Sequence, residues 1–503
     1  MKYRNLTAGV LSCLMIAGCS SSSSDDDGFE NDLSLLQQVL TTNADIAFAS
    51  YSDSVTTAQA LRAALVAFEA APTVAANLEA AKQAWLVARE PYGQTEVYRF
   101  RNSPIDDDPD TPAAEDGPEG SLNAWPLGEA LIDYVQATTT DFGDGEVGVT
   151  TSSTTVQAGG AITAAFANAN PTQNIISQTG ITIDSALLDG SASAADEHDV
   201  ISGYHAIEFL LWGQDLDNAG TQTDGTDRAD AIKVHDAGMR ATGGERPLSD
   251  FDTSGGACTS AGAIVADAIC QRRHDYLLVA VDKLIAELIF VRDHWDPAMA
   301  GNYREDFVNP ANLAEAEGRV LEILTGMGTM SEGELAGERM QISLSANSQE
   351  DEHSCFSDNT HRDVVLNALG VANMFYGEYA GYDSDLDGTV DAGTAPATNY
   401  GIDNYLGDVG LTTLRDSVAA ALTTTETNYN AMDTAARANL PVDVVIQDAF
   451  GVNAQAMRDT VVSLNAQSSE IADIAIELGL GNADDVVDPD ASDCDTTDPT
   501  STC

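Results

Sequence analysis

Apolar side chains recur at helical spacing along most of this chain, and no other feature restricts its fold as tightly. Leu277, Val281, Leu284, Leu288 and Val291 share one helical face, as do Met457, Val461, Leu464, Ile471 and Leu478. Leu33 to Phe68 and Leu78 to Phe100 read as another long pair, with Ala-rich sequence favouring helix and Ala71-Pro72-Thr73 supplying the turn. Strand-like alternation is scarce. Because each apolar face must be covered, the pattern predicts an all-α protein made of helical bundles. The polar stretches Asp106 to Gly120, Thr138 to Thr155 and Asp215 to Asp230 read as surface loops.

Pro247 and Gly255-Gly256 interrupt the helical pattern, which places a boundary between Arg246 and Gly256. The expectation is two helical-bundle domains, over 30–248 and 249–481, followed by an acidic tail at 482–503. Gly93-Gln94-Thr95-Glu96-Val97-Tyr98-Arg99 is echoed by Gly337-Glu338-Arg339-Met340, each followed by acidic sequence. Either one ancestral bundle was duplicated, or two amphipathic helices resemble each other by chance. Paired bundles leave a groove at their junction, a common place for a ligand.

At the N-terminus, Lys2 and Arg4 precede an apolar run from Leu6 to Ala17, long enough for an export signal and too short for a permanent membrane helix. Ile16-Ala17-Gly18-Cys19 is similar to the lipobox of bacterial lipoproteins. The expectation is a signal peptide over 1–18, lipidation at Cys19 as the membrane anchor, and a polar tether over 19–29. Ser20 after the lipidated cysteine resembles outer-membrane sorting, which puts the protein in the cell envelope, facing the periplasm or the cell surface. Export permits disulfides, and Cys258 to Cys270 and Cys494 to Cys503 are the shortest loops to close. Cys355 is then a free thiol or the partner of Cys270. The chain has 80 acidic and 22 basic residues, a formal net charge of −58. Such a surface repels nucleic acid and anionic lipid and draws cations, and it also suits a salty medium.

The most informative segment is Gly203-Tyr204-His205-Ala206-Ile207-Glu208-Phe209-Leu210-Leu211-Trp212-Gly213. His205 and Glu208 are three residues apart and share a helix face. Their neighbours are apolar, so Glu208 is expected to be buried, where a carboxylate needs a metal, a basic side chain or a proton. A His-Glu hydrogen bond inside a core would satisfy the same pattern. His-x-x-Glu also recurs in carboxylate-rich metal sites of helical bundles.

Gly-x-His-x-x-Glu followed by Phe-Leu-Leu-Trp-Gly-Gln-Asp resembles the imelysin family. So do Tyr92 to Phe100 with Ser103-Pro104-Ile105-Asp106, and Leu122-Asn123-Ala124-Trp125-Pro126-Leu127. Asp351-Glu352-His353-Ser354-Cys355-Phe356-Ser357-Asp358-Asn359-Thr360-His361 is similar to the iron-regulated protein A branch. The resemblance implies two helical bundles with a site near their junction and a role in iron acquisition, alongside iron-uptake machinery. It also implies Glu96 and Asp106 as further carboxylates beside His205 and Glu208. The family was filed among metallopeptidases, yet His-x-x-Glu is shared with iron-uptake components that are not evidently proteases.

Neither His-Glu-x-x-His nor His-x-x-Glu-His occurs at this segment, and a hydrolytic zinc site needs about three ligands, an open position and a general base. One histidine with three carboxylates is a hard donor set that suits iron or manganese better than a soft metal, with zinc as a further candidate. The reading is therefore a binding protein for a metal ion or metal complex. A metallopeptidase and a protein or polysaccharide recognition module are the alternatives. Glu352, His353, Asp358 and His361 form a second candidate cluster, which could also lock helices together. Asp383, Asp385 and Asp387 with Gly388 match the start of a calcium loop, although Thr394 replaces the Glu expected at its twelfth position. Gly143-Asp144-Gly145-Glu146-Val147-Gly148 fits a dinucleotide fingerprint only formally, because no apolar strand precedes it.

Overall fold

Asp32 begins the folded body: its carboxylate accepts the Ser34 and Leu35 N–H groups at 2.8 and 3.2 Å, starting helix α1 (Leu33–Ala70). The structure, a computed structural model, describes residues 30–112, 116–123, 125, 127–134, 154–156, 162–165, 174–189, 200–215, 243–244, 246–346, 351–438, 440–446, 448–487, 494–501 and 503. The expected signal peptide, Cys19 and the tether lie outside the described residues, as do 143–148.

After α1 come α2 (Ala75–Gly93), a 3₁₀ turn at Glu96–Tyr98, the one-turn helices α3 (Glu119–Leu122) and α4 (Glu129–Ile132), α5 (Ser185–Asp189) and α6 (Gly203–Trp212). Then follow α7 (Asp267–Trp295), α8 (Tyr303–Phe307), α9 (Leu313–Thr329), a π-helix at Met330–Gln341, α10 (Ile342–Ala346) and α11 (Thr360–Tyr376). The chain closes with α12 (Ile402–Asp408), α13 (Thr412–Arg437), α14 (Val442–Ile446) and α15 (Gln455–Glu477). Among the described residues the strands amount to two short hairpins, 154–156 with 162–165 and 259–260 with 263–264. The fold is all-α, as the periodicity predicts.

The two repeating faces named from sequence are buried: Leu277, Val281, Leu284, Leu288 and Val291 on α7, and Met457, Val461, Leu464, Ile471 and Leu478 on or just after α15. α1 packs on α2, α7 and α9, while α15 packs on α9, α13 and the π-helix. Packing of α1 on α7 crosses the division expected near residue 248, and Asn31–Cys503 forms one compact unit. The second helix stops at Gly93 instead of continuing to Phe100. There the Thr95 hydroxyl and N–H both donate to the Tyr92 carbonyl, which starts the 3₁₀ turn. A Cβ on Gly93 would stand 2.7 Å from Leu366 Cβ, so glycine lets α2 and α11 touch.

Cys258–Cys270 and Cys494–Cys503 are disulfides. Cys355 is buried and outside both, so it is not the partner of Cys270.

Candidate metal centre

Every residue of α6 from Gly203 to Trp212 is buried, which follows from a helix apolar on all sides. Gly203 opens it at φ 82°, and a Cβ there would lie 2.4 Å from the Leu122 carbonyl oxygen. Glycine at this position is thus required twice, by the backbone angle and by the close approach of the segment after α3. That approach packs α3 against α6.

His205 Nδ1 meets Glu208 Oε2 at 2.8 Å, as helical spacing predicts. The other Glu208 oxygen accepts the Ser357 N–H at 2.9 Å and its hydroxyl at 2.7 Å. Burial pushes the Glu208 carboxyl up to about 8 against these Ser357 hydrogen bonds, so it carries a proton at neutral pH. Burial, reinforced by Arg89, pushes His205 down to about 3 and keeps it neutral. His205 Nε2 is buried without a hydrogen-bond partner.

The segment 351–359 supplies a second imidazole. The His353 ring lies 4.7 Å from that of His205, at 77° to it, and 5.5 Å from Trp125. His353 Nδ1 meets Asp363 Oδ2 at 2.9 Å, and its Nε2 lies 3.3 Å from Asn123 Nδ2. Asn123 Oδ1 accepts from Arg89 and Nδ2 donates to Glu96 Oε1 at 3.2 Å, which fixes the amide. His353 Nε2 is therefore an acceptor, and its Nδ1–H donates to Asp363. Burial, with Arg339 next, holds His353 at about 3. Burial opposes the charge on Asp363, but Arg89, His353 and Ser354 together hold it well below the usual carboxylate range.

Charge around the centre is organised as a buried network. Arg89 bonds Asp363 at 3.0 Å, and Arg339 bonds Glu96 at 2.7 Å and Glu334 at 2.5 Å. Glu334 and Arg339 are five residues apart on the π-helix, whose i to i+5 pairing stacks residues at that interval. Arg99 continues the chain to Glu334 at 3.4 Å and Glu119 at 3.3 Å. The two echoed segments, around Glu96 and around Arg339, meet face to face in this network.

The four residues His205, Glu208, Glu96 and Asp106 do not converge as one ligand set. Glu208 backs His205 from the Nδ1 side, Glu96 is held by Arg339 and Asn123, and Asp106 accepts the Arg101 N–H at 3.3 Å in a separate cleft. There burial pushes Asp106 up to about 7 against the pull of Arg99. Three-ligand groupings with donor atoms within 4.8 Å of one another occur elsewhere, at Asp108–Asp110–His294, Asp215–Asp358–Asp443 and Asp383–Asp385–Asp387.

The second candidate cluster is likewise dispersed. His353 joins His205, Glu352 accepts from Thr360 at 3.3 Å, Asp358 accepts the Gly243 N–H at 3.0 Å, and His361 meets Asp433 at 2.8 Å. In the calcium-loop segment, Asp383 accepts the Asp387 and Gly388 N–H groups at 3.1 and 2.7 Å. Thr394 bonds Asp53 at 2.7 Å. Arg89, Asn123, Asp363, Ser357 and Glu334 escaped the sequence reading. Asn123 and Ser357 stood inside the motifs already singled out, whereas Arg89 and Asp363 lie in no motif that the sequence offered.

Residues 47–473 match the family described as Imelysin. The chain belongs to the imelysin family. Within this imelysin-family chain, a 78-residue stretch is 41% identical to the iron-regulated protein A of Synechococcus elongatus, covering 16% of this chain and 19% of that protein. The chain thus matches about a fifth of that relative's length. A structure assigned as an iron-regulated protein A precursor from Parabacteroides distasonis aligns at TM-score 0.49 and 15% identity, over 88% of this chain and 96% of that one. An imelysin-like protein from Psychrobacter arcticum aligns at TM-score 0.49 and 13% identity, over 90% and 99% respectively.

Proposed function

We propose that this protein binds a metal ion or metal complex at the His205 centre and serves iron acquisition in the cell envelope, tethered by a lipid on Cys19. One observation carries the reading: a buried imidazole nitrogen, His205 Nε2, has no partner, while a carboxyl group fixes the opposite nitrogen of the same ring. That is the arrangement by which proteins orient a histidine toward a metal. An orphaned polar atom in a core otherwise costs stability and needs an explanation.

Imidazole nitrogen suits iron and zinc. Iron takes precedence because the match to iron-regulated protein A points the same way. The leader from Lys2 to Cys19 supports export and lipidation, and no described helix is long and apolar enough to cross a membrane. Binding is preferred to peptide hydrolysis because the centre lies in the core, with His205, Glu208 and His353 each at most 2% exposed.

Equilibrium titration of the mature protein with ferrous iron, ferric iron, manganese and zinc tests the reading, with His205→Ala beside it. Binding of iron that weakens at least tenfold in His205→Ala is expected. A wild-type protein that takes up none of the four, or a variant that binds as well as wild type, overturns it.

A further inference from the structure

Among the described histidines, His294 alone reaches the surface. His205, His274, His353 and His361 are each at most 2% exposed, whereas the His294 side chain is 13% exposed. It stands in the last turn of α7 with its ring 4.4 Å from that of Phe290, and its Nδ1 lies 2.9 Å from the Phe290 carbonyl oxygen. A carbonyl only accepts, so Nδ1 carries the hydrogen and the neutral ring presents its lone pair at Nε2. That lone pair faces acidic oxygen: Asp110 Oδ2 is 3.9 Å from Nε2, and Asp108, Asp110 and His294 each place one ligand atom within 4.8 Å of the others. Acceptors gathered in this way repel one another unless a proton or a metal ion lies between them.

The loop that carries the two acids is braced. Glu119 N–H donates to the Ile105 carbonyl at 3.0 Å and Gly117 N–H to the Asp106 carbonyl at 2.7 Å, which closes its base. Asp116 accepts the Asp108 N–H at 3.1 Å, and Asp108 accepts the Asp110 N–H at 2.8 Å. The surroundings favour positive charge. The last carbonyls of α7 carry partial negative charge, and the neighbouring Arg292 is taken up by Asp293 at 2.5 Å. Asp106, Asp107 and Asp116 of the same loop line a cleft of about 970 Å³.

We propose that Asp108, Asp110 and His294 bind a divalent first-row transition ion beside this cleft. The imidazole sets the group apart from a merely acidic patch: nitrogen selects zinc or ferrous iron over calcium and magnesium, and the carboxylates supply the opposing charge. Ligands about 2.0–2.2 Å from one ion stand roughly 3.5 Å apart, so the three must close by about 1 Å. Asp110, 83% exposed, is free to make that movement. Three protein ligands leave a position for water. The site shares no residue with the His205 centre and does not depend on it.

Isothermal titration of the mature protein with zinc, in excess calcium and magnesium to occupy sites made of carboxylates alone, tests the assignment. His294→Gln and Asp110→Asn should each weaken one zinc equivalent at least tenfold without lowering the thermal midpoint of the metal-free protein. Asp416→Asn removes a charge that is 68% exposed on α13 and should leave that equivalent unchanged. His205→Ala should leave it unchanged too, and its retention when the His205 centre is disabled would support two independent sites. The proposal fails if either His294→Gln or Asp110→Asn binds zinc as wild type does. It fails equally if Asp416→Asn weakens binding as much as they do, or if calcium and magnesium suppress every zinc equivalent that survives in His205→Ala.

Discussion

His205 and His353 come from segments about 150 residues apart, yet their rings stand 4.7 Å from each other at 77°, each with its Nδ1 held by an acidic side chain. The two acids differ in state. Asp363 faces Arg89 and stays charged, while Glu208 meets only uncharged hydrogen-bond partners, Ser357 and His205, and carries a proton. A cation arriving at His205 Nε2 would compete with that proton, because a charged Glu208 makes the imidazole a stronger donor.

Asp363→Asn keeps the shape of the side chain but leaves Arg89 facing the core with Glu96 as its nearest remaining charge, at 3.8 Å. Breaking a buried pair in this way costs about 3–5 kcal/mol. Urea denaturation of the metal-free protein should register that loss, and a change below about 1 kcal/mol would show the pair to be dispensable.

Glu208→Gln and Glu208→Ala should part company. Gln retains an oxygen for the Ser357 N–H and hydroxyl, and the group it replaces is already neutral, so the metal-free protein should lose no more than about 1 kcal/mol. Ala abandons both Ser357 donors and His205 Nδ1, at about 1–3 kcal/mol for an orphaned buried partner. Both variants should bind metal less tightly. Equal stability losses would sink the protonated assignment of Glu208.

How far this could be seen in the sequence depends on the range of the interaction. The faces of α7 and α15, the break at Ala71-Pro72-Thr73 and the His205–Glu208 contact are set within a few turns of helix, and spacing alone located them. Burial of Glu208 was readable from Ile207, Phe209 and Leu210, and so was its need for a proton or a partner. The coming together of His353 with His205, and of Arg339 with Glu96, spans well over a hundred residues, and no local period records it. Glu96 and Asp106 were carried over by family likeness, and the structure separates them because Arg339 and Asn123 hold Glu96 while Asp106 faces the cleft. The spread of Glu352, His353, Asp358 and His361 has the same origin: neighbours in sequence turn to different helices once the segment is folded.

Gly203→Ala tests whether the entrance to α6 sets the centre. Alanine would be strained at φ 82° and its Cβ would strike the Leu122 carbonyl, so the α3 segment must move, taking Asn123 with it. Stability should fall by at least about 1–2 kcal/mol from the left-handed backbone alone. The added sign is a loss of metal affinity without any change of ligand. An alanine variant with wild-type stability and affinity would contradict the contact.

Acid should act on the centre through His353. Folded, its pKa is pushed down to about 3 by burial; unfolded, it returns to about 6.5. Between those values the unfolded chain binds the additional proton, so stability from the neutral imidazole is complete above about pH 6.5 and is lost as the pH falls toward 3. His205 contributes in the same direction, and Glu208 in the opposite one: its raised pKa makes the protonated form part of the fold, so its contribution fades as the pH rises from about 4.5 to 8. The 80 acidic residues add their own trend, since protonating them relieves repulsion. The useful quantity is therefore the difference between wild type and His353→Gln, whose side chain does not titrate. Denaturation of both metal-free proteins at intervals from pH 4 to 8 should show wild type losing stability faster than the variant below pH 6.5, with the two curves parallel above it. Curves parallel across the whole range would mean that His353 takes up a proton in the folded centre as readily as in the unfolded chain, and the neutral assignment of the imidazole would fall with it.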